Sequence, residues 1–164
     1  MADKSSFTSH EWSKIVGSPF LAGMAVTLAD PSGLWGTLKE GMASASALLD
    51  ARKDLGAAGL IKAVVAELET SEGRTMARES LKAQMTSKTA GELKSQVVAA
   101  LASVGQIIDA KAEEDARAFK TWLTGIAERV AAASKEGGFL GFGGVAISEA
   151  EKLTLGDVLN ALQA

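Results

Sequence analysis

The stretch that most limits what this chain can fold into is Lys135 to Glu151, KEGGFLGFGGVAISEAE. Five of its residues are glycine, and Phe139, Leu140, Phe142 and Val145 sit between or beside them. It closes on Ser148-Glu-Ala-Glu151, a serine followed three residues later by a glutamate, which is the signature of a helix start. Everything else in the chain is ordinary helix material, so this stretch must be a connection that the helices either pack over or leave exposed.

The helices are read from hydrophobic spacing and from caps. Ser9 is placed at the cap of a first short helix with Trp12, Ile15 and Val16 on its apolar edge, ended by Gly17. Ser18-Pro19 is read as a fresh start, because proline at the first helical position gives up an N–H that has no partner anyway. The second helix, with Phe20, Leu21, Met24 and Leu28, stops before Asp30-Pro31. A third carries Leu34, Trp35, Leu38, Met42, Ala45, Leu48 and Leu49. A fourth carries Leu60, Ile61, Val64, Val65 and Leu68. At Thr70-Ser71 a fifth helix begins or the fourth runs on, and 86–90 is a polar break. Thr89 and Glu92 fit a capping box for the next helix, whose stripe runs Val97, Val98, Leu101, Val104, Ile108. A turn or kink is expected near 109–113, followed by Phe119, Leu123, Ile126 and Val130. Ser148 caps the last helix, with Leu155, Val158, Leu159 and Leu162. No segment alternates with a period of two long enough to predict a strand.

The expectation is therefore an all-α fold: a flexible N-terminus over 1–8 and one helical domain over 9–164, a compact bundle of about seven helices with the Gly-rich apolar loop before the last. At 164 residues, with 47% hydrophobic and 23% charged residues, the chain is long enough to bury a core of its own.

The residue inventory excludes more chemistry than it suggests. There are no cysteines and no tyrosines, and one histidine. A zinc site needs three or four ligands, and His10 is alone. His10-Glu11-Trp12-Ser13-Lys14 resembles the His-Glu-x-x-His zinc signature until its last position, which is lysine. No Gly-x-Ser-x-Gly elbow, Ser-x-x-Lys pair or Gly-Lys-Ser/Thr loop is present. Gly141-Phe-Gly143-Gly-Val-Ala146 matches the letters of a dinucleotide fingerprint, but that motif works between a strand and a helix, and here a helix precedes it. With Gly143 as the central glycine of a calcium loop, the oxygen-bearing positions would hold Gly138, Leu140 and Phe142. No cofactor and no metal site is expected, nor catalytic residues. The net charge of −3 argues against a nucleic-acid partner. The longest apolar run, 19–29, is too short for a membrane span. With no secretory leader visible, a cytoplasmic location is expected.

Two groups remain as candidate ligand or partner contacts. Phe139, Leu140 and Phe142 form either a lid or docking patch over 137–147 or, in the simpler structural reading, a plug at the end of the bundle. Arg74, Arg78 and Lys82 recur every four residues and so share a helix face, either as a dock for an acidic or phosphorylated group or as a solvated face. The cluster Asp109, Glu113, Glu114, Asp115 is read as a carboxylate-rich helix start, and Trp12, Trp35 and Trp122 as core residues.

The run EGGFLGFGGVAISEAEK, with LADPSGLWGTLKEGM upstream and ETSEGR in the middle, resembles a family of small helical bacterial proteins of unknown function. That resemblance implies a bacterial origin and a helical fold, and carries over no site. More loosely, the glycine turn leading into Ile147-Ser148-x-Ala150-Glu151 is similar to the interhelical turns of the TerB-type tellurite-resistance domain. Those turns carry aspartates before the glycine and this one carries none, so the likeness extends to fold and not to a metal.

The functional expectation is a non-enzymatic interaction or scaffold module with a protein partner or a second copy of itself, in a stress-related role if the TerB likeness is followed. The alternative is a binder of a small apolar ligand with 137–147 as its lid, closing over Phe139, Phe142 and Trp122. An enzyme using carboxylates or hydroxyls ranks last.

Overall fold

A computed structural model describes residues 2–29, 58–135 and 149–163. These residues form a 3-10 turn, Lys4–Ser6, and six helices: α1 (Ser9–Thr27), α2 (Gly59–Glu69), α3 (Ser71–Gln84), α4 (Ala90–Lys111), α5 (Glu113–Lys135) and α6 (Glu149–Gln163). The helices pack compactly and no strand occurs among the described residues, as the spacing predicts. The expected helix over Leu34 to Leu49 lies outside them.

The fold is organised around α1. Its buried residues include Trp12, Ile15, Val16, Ser18, Leu21, Ala22, Ala25 and Val26, which cover most of its circumference, and Phe20 and Met24 on the remaining side are partly buried. A helix that is apolar nearly all round can be stable in water only if other elements surround it. Here α2, α3, α4, α5 and α6 all pack against it. Their own stripes close the core, with Leu60 and Val64 from α2, Leu101, Val104 and Ile108 from α4, Phe119, Leu123 and Ile126 from α5, and Val158 and Leu162 from α6.

The expected break at Gly17 is absent. A single helix runs from Ser9 to Thr27 with Pro19 inside it. An interior proline normally costs about 3 kcal/mol or more, because it cannot donate to the carbonyl four residues back and its ring crowds that carbonyl. The carbonyl left over belongs to Ile15, and the hydroxyl of the fully buried Ser18 donates to it at 2.7 Å. The same Ser-Pro pair that reads as a helix start thus supplies an internal repair.

The start of α1 also differs by one residue from the expectation. Thr8 is the cap: the Glu11 amide donates to its hydroxyl at 3.2 Å, and its own amide donates to the Glu11 carboxylate at 2.8 Å. Lys111, in the last turn of α4, donates to the same carboxylate oxygen at 2.7 Å. The lysine and the Thr8 amide together hold Glu11 well below the ordinary carboxylate value of 4.5, at about 2.

Within the N-terminal segment, Ala2 and Phe7 are buried against the helices, while residues 3–6 and Thr8 are exposed. The Ala2 amide donates to the buried Asp115 at 2.8 Å, and Phe7 is buried and stacks on Trp12 with ring centres 5.9 Å apart. At the expected turn near 109–113, α4 ends at Lys111, Ala112 leaves the helical conformation and α5 starts at Glu113. At Thr89 only the forward half of the expected capping box forms. The Glu92 amide donates to the Thr89 hydroxyl at 3.4 Å, while the Glu92 carboxylate accepts from the hydroxyls of Ser87 and Thr89.

Two outcomes follow. Ser18→Ala leaves a buried carbonyl without a donor and is expected to cost about 1–3 kcal/mol by urea unfolding. In a Pro19→Ala background, where residue 19 regains its amide, the same change is expected to cost close to nothing. Glu11 has a lowered folded pKa, so its contribution is fully present above pH 4.5 and is lost as the pH falls from there through about 2. Urea midpoints measured from pH 6 downwards are expected to fall less steeply across that window for Glu11→Gln than for the wild type.

Candidate functional site

The basic stripe lies on α3, and its surroundings begin at the corner between α2 and α3. Thr70 sits there in extended conformation as the last cap of α2 and the first cap of α3. Its hydroxyl donates to the Glu67 carbonyl at 2.8 Å and accepts from the Gly73 amide at 2.9 Å. A Cβ on residue 73 would run into the Glu67 carbonyl, so only glycine lets the two helices meet this tightly.

Arg74 closes the same corner. Its Nη1 donates to the carbonyls of Glu69 at 2.8 Å and Leu68 at 3.2 Å, satisfying the end of α2. Lys82 pairs with Glu79 at 3.4 Å on the exposed face, and Arg78, one turn before Lys82, is exposed. The three residues share α3 but not one environment: Arg74 is directed at its own backbone.

Phe139, Leu140 and Phe142 lie outside the described residues. The described chain resumes at Glu149, directly into α6. On this helix Leu153 is 68% exposed and Leu159 39%, the large apolar side chains left most open among the described residues.

The acidic cluster is divided among separate tasks. Asp109 pairs with Lys120 at 2.6 Å, Asp115 accepts from Ala2, and Glu113 and Glu114 occupy the first turn of α5. His10 is exposed in the first turn of α1. Among the described residues no three His, Asp or Glu side chains gather where an ion could be held, and no helix is long and apolar enough to cross a membrane.

Two of the three tryptophans are described and both pack on the core, but they differ. Trp12 donates its indole N–H to Glu67 at 3.1 Å, and Lys4 binds that carboxylate at 3.1 Å from the other side. Trp122 meets Phe119 edge-on with ring centres 5.3 Å apart. Its indole N–H is buried with no acceptor among the described residues.

Two surface depressions flank α6, and neither is legible in the sequence because each is made by three or two helices distant along the chain. One, of about 580 Å³, lies among α4, α5 and α6, with Arg117, Lys120, Thr121, Gly125, Glu128 and Leu159 in its walls. The other, of about 590 Å³, is a shallower groove between α4 and α6 over Val98, Ala102 and Ala161, bridged by Lys94 and Asp157 at 3.0 Å.

No family model, curated protein or solved structure matches this chain.

The capping role separates the arginines by experiment. Arg74→Ala is expected to lower unfolding free energy by about 0.5–1.5 kcal/mol, and Arg78→Ala to change it by less than about 0.5 kcal/mol. Gly73→Ala is expected to cost about 1–3 kcal/mol by overpacking. Denaturant titration of the three variants checks all of these.

Proposed function

We propose that this chain is a helical interaction module, which acts by docking a partner and not by chemistry on a substrate. The observation that carries the reading is the outer face of α6. Leu153 stands 68% exposed there, on the helix that follows the glycine- and phenylalanine-rich stretch 137–147 directly in sequence. Elsewhere the polar side chains that might do chemistry are engaged in caps and interhelix pairs, as with Glu11, Glu67, Thr70 and Asp115.

A second reading, a binder of a small ligand, is favoured by Trp122. A buried donor without an acceptor costs about 1–3 kcal/mol, and a ligand with a carbonyl or hydroxyl oxygen would relieve it.

Native mass spectrometry of the protein isolated from its own host tests both. The module reading expects either a second copy or a retained protein partner that Leu153→Asp loses while the thermal melt is unchanged. A monomer carrying a small molecule would replace it with the ligand reading. A bare monomer at every concentration would overturn it.

A further inference from the structure

Resting on the interaction-module reading, we propose that the outer face of α5 pairs with the same face of a second copy of the chain. The two helices run antiparallel, with the two-fold axis passing near residues 122 and 123.

Residues 117, 121, 124 and 128 recur at spacings of four, three and four, which puts them on one stripe of the helix. The stripe reads Arg117, Thr121, Thr124, Glu128. Arg117 and Glu128 are both exposed and are eleven residues apart, about 16 Å along the helix axis. They cannot reach each other within one chain. Among the described residues neither has an ion-pair partner, whereas the adjacent Lys120 is tied to Asp109 at 2.6 Å.

An antiparallel copy centred on the stripe brings Arg117 of each chain opposite Glu128 of the other, and Thr121 opposite Thr124. One contact thus generates its symmetric mate, which is what a two-fold interface requires. A parallel copy would set arginine on arginine. The charge pattern therefore selects both a second copy as occupant and its orientation.

The surroundings fit a close approach. The stripe borders the 580 Å³ cleft, whose other wall holds the half-exposed Leu159. Gly125 sits mid-helix beside the stripe, and apart from the adjoining helix backbone no described atom lies within 4 Å of where its Cβ would stand. Glycine in a helix interior costs about 1 kcal/mol relative to alanine. Among the described residues nothing packed requires it here; it leaves room for a neighbouring backbone. Polar and small, the helix face alone presents about 350 Å² from its length and width, below the roughly 800 Å² per partner of a standard interface. The rims of α4 and α6 must join in, and the pair is weak, with Kd in the micromolar range or above.

Sedimentation velocity from about 5 to 500 µM tests this. The wild type is expected to dimerise, less so as salt is raised. Arg117→Glu and Glu128→Arg each break two symmetry-related pairs, and each is expected to weaken association about tenfold. The double variant R117E/E128R restores the pairs in reverse and is expected to return to within about threefold of wild type. Arg117→Gln, which puts no new like charge beside Asp109, is expected to weaken association by a smaller factor, and thermal melts confirm that each variant folds. A wild type that stays monomeric, single reversals that associate like wild type, or a double variant no better than the singles would each overturn the pairing. If the wild type is monomeric but retains a host protein that Leu153→Asp loses, the α5 pairing falls and the module reading stands; if neither is seen, both fall.

Discussion

An apolar helix cannot be half-wrapped. Buried side chains of α1 cover most of its circumference, so most directions need a helix laid against it, and a helix that stops half-way would leave the far neighbours with nothing to pack on. The continuity of α1 through Pro19 is for that reason the condition on which the other five helices depend. It rests on one hydroxyl. Ser18 gives the Ile15 carbonyl the hydrogen bond that the proline ring cannot, at a fully buried site. The small residues in the second half of the helix, Ala22, Gly23 and Ala25, keep its girth low enough for neighbours on all sides.

Around this centre, polar residues work at the ends of helices, and several serve two elements at once. Glu11 completes the cap of α1 and receives the last-turn lysine of α4. Glu67 receives Trp12 from α1 and Lys4 from the 3-10 turn. Thr70 terminates α2 and initiates α3 with a single hydroxyl. Helix ends are where backbone groups lack internal partners, so one side chain shared between two ends orients the helices relative to each other while the apolar stripes supply the adhesion.

The parts legible in the sequence are those fixed by local spacing. The stripe of α4 and the break near Ala112 could be read because each depends on residues a few positions apart, whereas at Thr70-Ser71 the spacing allows either a new cap or a continuous helix. The reading failed at Pro19, where the usual meaning of Ser-Pro as a start was overridden by tertiary burial on both sides of the pair. Period alone sets Arg74 in a row of like charges, whereas the corner at Thr70, about one turn earlier, determines what that guanidinium does. The Asp115 anchor for Ala2, the Lys4–Glu67–Trp12 cluster and the clefts beside α6 join residues from distant parts of the chain, and nothing in the pattern of one segment announces them.

The position of α1 along the chain has a consequence for how the protein is made. The helix that every other described helix packs against ends at Thr27, while α6, one of the walls around it, does not begin until Glu149. On a ribosome this largely apolar helix emerges well before α6, the last of its described covers. Through most of translation the centre of the fold is an unsheltered greasy rod, open to chaperones and to the same rod on neighbouring nascent chains. The native contacts between distant segments also make closing the chain slower than its helical content alone suggests. In the finished molecule α1 is the best-protected element; during synthesis it is the one most in need of protection.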